Sequence, residues 1–182
     1  MREIALHILD IARNSIEAGA TAIELTIIED GPSDRLEVIL HDNGAGMSEA
    51  EVRRATDPFY STRETRRVGL GLPLLAATCE RSGGELRVQS KVGEGTTIRG
   101  TLGLAHLDRP PLGDMGGVIQ ALACESERLV LRYRHEVSGN VFEFDSSEIQ
   151  AELGDVRLND PTVLHWLSEY VNREVRRIGS KA

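Results

Sequence analysis

The stretch that decides the fold is His41-Asp42-Asn43-Gly44-Ala45-Gly46-Met47, which follows an alternating run at residues 36–40. Alternation of apolar and polar residues with period two predicts that this run is a half-buried β-strand. Asp, Asn and Gly then end the strand, because these residues favour loops and tolerate left-handed backbone. The loop fixes the Asp42 carboxylate at a strand end, beside glycines that let a ligand approach the backbone. An ordinary turn without a ligand is the alternative.

Composition narrows the classes of function. The chain has 182 residues, 40% of them hydrophobic, which is enough for one full domain and a smaller one. Its net charge of -8 argues against nucleic-acid and membrane-surface binding, which usually need basic patches. No apolar run approaches a membrane span, and no signal-peptide pattern is seen at the N-terminus. Two isolated cysteines indicate buried thiols, so we expect a cytoplasmic protein.

The opening segment, residues 2–18, has apolar residues at three-and-four spacing and is predicted to be a helix ended by Gly19. A separate stripe of this helix is polar and includes Asp10 and Asn14. These two residues lie one turn apart and project to the same side. A carboxylate and an amide oxygen could there share a metal ion and a water. A solvated helix face is the alternative.

A second glycine-containing stretch, residues 68–73, precedes another predicted helix, with Pro73 in its first turn. Gly69 and Gly71 would expose backbone amides at the positive end of the helix dipole, which is a natural site for an anion. Arginines at 63, 66 and 67 would neutralise a polyphosphate. Packing glycines and a solvated arginine loop are the alternatives.

The remaining pattern predicts an α+β fold. Alternating segments at 21–29, 36–40, 85–91 and 95–102 indicate a mixed, mainly antiparallel sheet with helices on one face, which is a two-layer sandwich. Ser48 and Glu51 form a capping-box pattern for an intervening helix. Residues 105–112 are predicted to be a linker. A small C-terminal α+β region follows, with a helix at 115–125, a hairpin at 128–144 and a helix at 161–178.

At this point the chain resembles the ATP-binding domain that gyrase, the large heat-shock chaperones, histidine kinases and mismatch-repair proteins share, known as the GHKL superfamily or Bergerat fold. The resemblance covers residues 1–104, which we therefore predict to be the ATP-binding domain, with 105–182 as the C-terminal region. Five motifs occur in the family's order: an N box at 10–20, glycine boxes at 42–47, 69–72 and 93–97, and an F box at 57–63.

The resemblance implies a role for each matching residue. Asn14 would hold Mg²⁺ bridging the ATP phosphates, and Asp42 would accept a hydrogen bond from the adenine amino group. Thr97 would support the pocket floor, and residues 60–68 would be a lid over the phosphates. The other residues implied to bind nucleotide are Gly44, Gly46 and Met47 at the adenine, Ser61, Thr62 and Arg63 in the lid segment, and Gly69, Leu70, Gly71 and Leu72 at the phosphates.

Two departures from the family pattern bear on catalysis. Glu17 stands where histidine kinases usually carry a basic residue, as in the mismatch-repair branch. Hydrolytic members place a glutamate four residues before the asparagine as general base, and Asp10 here is one methylene shorter. Turnover is therefore expected to be slow or absent. We expect no phospho-acceptor hairpin before the domain, and His7 and His135 are interpreted as structural.

These observations predict an Mg-ATP-binding regulatory protein that acts on a partner protein by slow ATP hydrolysis or phosphotransfer, as a weak ATPase or kinase. The alternative is a non-catalytic ATP-sensing module whose lid controls partner binding. The apolar stripe of the last helix, including the single Trp166, is predicted to pack on its own hairpin; the alternative is a homodimer or partner surface.

Overall fold

The computed structural model describes residues 3–55, 71–125 and 128–181, and over these residues the chain forms six helices and a single six-stranded sheet. The helices are α1 (Ile4–Glu17), α2 (Glu49–Ala55), α3 (Gly71–Arg81), α4 (Met115–Glu125), α5 (Ser146–Leu153) and α6 (Pro161–Arg177). The strands are β1 (Ala22–Asp30), β2 (Arg35–Asp42), β3 (Leu86–Lys91), β4 (Gly95–Gly103), β5 (Val130–Val137) and β6 (Asn140–Asp145).

The sheet has the strand order β3-β4-β2-β1-β5-β6. Strands β1 and β5 run parallel, and the other neighbouring strands are antiparallel. This mainly antiparallel sheet with packed helices confirms the predicted α+β fold class.

Period-two alternation gives the sheet one buried face and one charged face. In β1, Ile23, Leu25 and Ile27 are buried in the core beneath the helices. The intervening positions face the other way, where Glu24 forms an ion pair with Arg132 of β5 at 2.8 Å. Burial of the apolar face drives the two layers together, because each buried aliphatic side chain contributes about 1.5–3 kcal/mol.

The predicted local signals are found where the sequence places them. Gly19 has φ +83° just after α1, as a left-handed C-terminal cap requires. The capping box before α2 is formed, because the Ser48 amide donates to Oε2 of Glu51 at 2.8 Å and the Glu51 amide donates to Oγ of Ser48 at 3.4 Å.

The predicted linker at 105–112 is anchored to the opening helix. The amides of Ile4 and Ala5 donate to the carbonyls of Pro111 and Leu112 at 3.1 and 2.7 Å, which satisfies two first-turn donors of α1. Leu112 is buried in the core. The division at residues 104 and 105 stays a prediction, but both parts contribute strands to one sheet and side chains to one core.

The apolar stripe of α6 divides into two parts. Val163, Leu167, Val171 and Val175 are buried against the protein's own core, whereas Trp166 is 43% exposed. Among the described residues, no helix is both long and apolar enough to cross a bilayer.

Candidate functional site

The centre of the candidate site is the Asp42 carboxylate at the end of β2, which is only 3% exposed. Oγ of Ser15 donates to Oδ2 of Asp42 at 2.6 Å, and the Gly44 amide donates to Oδ1 at 2.9 Å. No cationic side chain of the described residues forms an ion pair with Asp42. A carboxylate can accept about four hydrogen bonds, and these two donors use about half of that capacity.

The glycine loop after Asp42 lies directly against the β3–β4 hairpin. A Cβ atom on Gly46, which has φ +67°, would lie 2.0 Å from the Lys91 carbonyl oxygen. A Cβ on Gly95, with φ +98°, would lie 2.0 Å from the Asp42 carbonyl oxygen. Only glycine allows both the backbone conformation and this close approach.

A hydroxyl on β3 links the loop to β4. The Met47 amide donates to Oγ of Ser90 at 2.8 Å. The same Oγ lies 2.9 Å from the Gly95 carbonyl oxygen and 2.8 Å from Oγ1 of Thr96. The first and third glycine boxes are therefore joined through one side chain.

The strand register decides which threonine lies beside the carboxylate. Asp42 is paired with Thr96, and His41 with Thr97, so Thr96 shares the buried face with Asp42. Thr97 lies on the opposite face, where its Oγ1 is 2.9 Å from Nδ1 of His41. The structure thus does not bring Thr97 together with Asp42, and Thr96 is the threonine on the Asp42 side of the sheet. The role of Thr97 in the pocket floor stays a prediction.

The other end of the site is formed where α3 begins against α1. A Cβ atom on Gly71 would lie 2.8 Å from Cβ of Asp10, so only a glycine lets the two helices approach this closely at that point. Asn14, which is half-buried, lies one turn after Asp10 and next to Ser15. Helix α1 therefore places Asp10 and Asn14 between the start of α3 and the Asp42 carboxylate.

The first turn of α3 contains Gly71 and Leu72, and the amides at a helix N-terminus have no intrahelical acceptors. These amides and the helix dipole favour an anion. The remaining predicted site residues, namely Ser61, Thr62, Arg63, Gly69 and Leu70, lie outside the described residues, as does the predicted lid at 60–68.

The two histidines interpreted as structural are buried in the core. Burial lowers the pKa of His7, and its Nδ1 has no hydrogen-bond partner among the described residues. His135 lies between two partners, because its Nε2 is 2.8 Å from Oε1 of Glu29 and its Nδ1 is 2.6 Å from the Tyr133 hydroxyl. Within the described ranges, no group of three or more acidic, His or Cys side chains could hold a metal ion by itself.

Sequence reasoning missed three polar residues of the site: Ser15, Ser90 and Thr96. Thr96 could have been found from strand parity, because Ile98 and Leu102 are on the apolar face and residue 96 has the same parity. Ser15 falls on the apolar stripe of α1, so its hydroxyl needs a buried partner. Ser90 has no comparable signal in the sequence.

Comparisons with known proteins show which family the chain matches. Residues 2–106 match the sequence model of the family described as histidine kinase-, DNA gyrase B-, and HSP90-like ATPase. A putative sensor protein of Shewanella frigidimarina is 31% identical over 103 residues, which cover 56% of this chain and 16% of that protein. Sporulation kinase C of Bacillus subtilis is 31% identical over 96 residues, covering 53% of this chain and 22% of the kinase.

The matched segments thus span about a fifth of the length of these relatives. Among solved structures, the N-terminal domain of a DNA repair protein superposes with a TM-score of 0.51 at 13% identity. That superposition covers 79% of this chain and 52% of the other, and it supports the fold alone.

Proposed function

Because the chain belongs to the family of histidine kinase-, DNA gyrase B- and HSP90-like ATPases, we propose that it is an Mg-ATP-binding regulatory protein that acts on a partner protein. The observation that carries the proposal is the buried Asp42 carboxylate, which has two neutral donors and no cationic partner among the described residues. Leaving the acceptor positions of a buried carboxylate unfilled is costly, so a function for its remaining lone pairs accounts for it. The adenine amino group is the donor that the family resemblance assigns to it.

The end of the site formed by α1 and the start of α3 fits the phosphates of ATP. Asn14 offers an amide oxygen, a ligand type that Mg²⁺ accepts alongside phosphate oxygens. The glycine at the start of α3 lets this helix pack closely against Asp10. The amides of Gly71 and Leu72 would bind phosphate oxygens.

ATP, when bound, would supply a transferable phosphoryl group. On the protein's side, Asp10 is the candidate general base, and its carboxylate would accept a proton from a water or a hydroxyl group. Its short side chain favours slow hydrolysis or phosphotransfer. The same short side chain supports the alternative function, a non-catalytic ATP sensor.

The partner surface is a separate part of the proposal. Trp166 stacks on Tyr170 with ring centroids 5.0 Å apart while 43% of it is exposed. Aromatic side chains of this kind are enriched at interface hot spots, so this part of α6 supports a partner or homodimer surface. Sedimentation of wild type and Trp166→Ala tests the homodimer, which requires the variant to dissociate at lower concentration.

Calorimetric titration with Mg-ATP tests nucleotide binding. Asp42→Asn should weaken ATP binding more than about tenfold, because it replaces an acceptor by a group that also donates. Asp30→Asn is a matched control, since Asp30 also accepts from a serine, Ser33, but at the exposed end of β1. Equal affinities for wild type and Asp42→Asn would contradict the adenine assignment.

Phosphate release tests the chemistry. Wild type should release phosphate slowly, and Asp10→Asn should reduce the rate strongly while ATP still binds. Binding without release from either protein would favour the sensor, or a kinase without its acceptor.

A further inference from the structure

We propose that Ser90 is a positioning residue of the nucleotide pocket, which fixes the direction of the Thr96 hydroxyl and thereby helps the pocket select an amino-purine over an oxo-purine. The proposal rests on the function proposed above. It concerns a residue that lies behind the pocket rather than one that contacts nucleotide.

The Ser90 hydroxyl has three hydrogen-bond partners. Its Oγ lies within 2.8–2.9 Å of three polar atoms, namely the amide nitrogen of Met47, the carbonyl oxygen of Gly95 and Oγ1 of Thr96. These partners belong to the glycine loop after Asp42 and to the start of β4, so one half-buried hydroxyl holds both sides of the pocket.

A count of protons fixes the direction of each bond. The Met47 amide can only donate and the Gly95 carbonyl can only accept, so the single hydroxyl proton of Ser90 goes to Gly95. The contact with Thr96 then requires Thr96 to donate to Ser90. With two accepted bonds and one donated bond, the Ser90 hydroxyl uses its full capacity.

Among the described residues that line the Asp42 end of the site, this network leaves none of the three hydroxyls a proton for a ligand. The Ser15 proton goes to Asp42, the Ser90 proton to Gly95, and the Thr96 proton to Ser90. Adenine presents an amino donor at its six position, whereas guanine presents a carbonyl acceptor there. A part of the site that offers only hydrogen-bond acceptors pairs with the adenine amino group and leaves the guanine carbonyl without a donor. This kind of mismatch gives strong discrimination between ligands.

Removal of the Ser90 hydroxyl would change the selectivity as well as the affinity. Without it, the Thr96 hydroxyl is free to rotate and donate into the pocket, and the Met47 amide loses its acceptor. A merely structural role would weaken ATP and GTP binding by the same factor.

The experiment compares Mg-ATP and Mg-GTP affinities of wild type, Ser90→Ala and Ser90→Thr, together with deuterium exchange at the Met47 amide. Ser90→Ala should weaken ATP binding about tenfold and GTP binding less, so that the ATP-to-GTP preference falls at least about fivefold. Exchange at Met47 should accelerate, and Ser90→Thr, which keeps the hydroxyl, should restore the preference. Gln89→Ala, on the exposed side of the same strand, should leave both affinities unchanged.

An unchanged preference in Ser90→Ala, with ATP still bound by wild type, would overturn this inference and leave the proposed function standing. Failure of wild type to bind ATP would instead overturn the proposed function, and this inference with it. If Ser90→Ala does not fold, Ser90→Cys, which is near-isosteric but a weaker hydrogen-bonding group, should show the same loss of preference in smaller degree.

Discussion

Ser15 and Asp42, which are 27 residues apart in the sequence, share a hydrogen bond of 2.6 Å in the protein interior. Ser15 belongs to the same helix as Asn14, and Asp42 ends a strand. Because Ser15 directly follows Asn14, this bond connects the residue proposed to bind magnesium, Asn14, with the residue proposed to recognise adenine, Asp42.

Ser15→Ala should weaken Mg-ATP binding about tenfold and lower the free energy of unfolding by about 1 kcal/mol, because a buried carboxylate oxygen loses its donor. Calorimetric titration and urea denaturation measure the two effects. Ser33→Ala removes a serine–aspartate bond in an exposed loop, and it should change neither value appreciably. An ATP affinity equal to that of wild type would exclude a role for Ser15 in orienting Asp42.

The strand register predicts unequal effects for two adjacent threonines. Thr96→Val should weaken ATP binding about fivefold, because its hydroxyl lies on the face of Asp42. Thr97→Val should change the affinity by less than about twofold, since its hydroxyl contacts His41 on the other face. Titration of both variants decides the matter, and a larger effect from Thr97 would favour the role implied by family resemblance.

Gly46→Ala should lower the free energy of unfolding by at least about 2 kcal/mol, because the new Cβ would collide with the Lys91 carbonyl at a left-handed position. Gly93 has a similar φ of +80°, but no atom of the described residues beyond its two chain neighbours lies within 4 Å of its Cβ position. Gly93→Ala should therefore cost only about 1 kcal/mol of backbone strain. Equal losses in urea denaturation would mean that the close approach at Gly46 has no energetic weight.

The buried Glu29 predicts a loss of stability in acid. Burial alone would raise its pKa, but hydrogen bonds from His135 and Ser180 outweigh burial and hold the pKa below its ordinary value of 4.5. A lowered pKa in the folded state contributes stability that is present above the unfolded value and disappears as the pH falls through the folded value. The urea midpoint should therefore stay level from neutral pH down to about pH 5 and drop as the pH falls below 4.5.

Glu29→Gln should show a smaller fall over the same range, although its stability at neutral pH should be lower. An identical pH dependence in both proteins would assign the acid sensitivity to other groups.

The sequence predicts those features that depend on neighbouring residues. The capping box at Ser48 and Glu51 is an example, because its donors and acceptors are three positions apart. The contact between Gly71 and Asp10 is different, since it depends on how α3 lies on α1, which no local pattern specifies.

Two further features were also not predicted from local sequence patterns. Helix α5 is the first of them. Only Ser146 of its eight residues is buried, and the other seven are exposed or half-buried. Its N-cap, Asp145, accepts from the Ser147 amide, and Gly154 with φ +60° follows its last turn, so local signals mark both ends. The parallel pairing of β1 with β5 joins segments about a hundred residues apart, and strand patterns do not specify such partners.

This parallel pairing limits how the protein can be engineered. A cassette cut after residue 104 would leave β1 as an open edge, with unpaired amides and carbonyls where β5 normally lies. The same cut would remove the carbonyls of residues 111 and 112 that accept the first amides of α1. A chimeric protein that borrows the nucleotide-binding half should therefore carry the later strands with it.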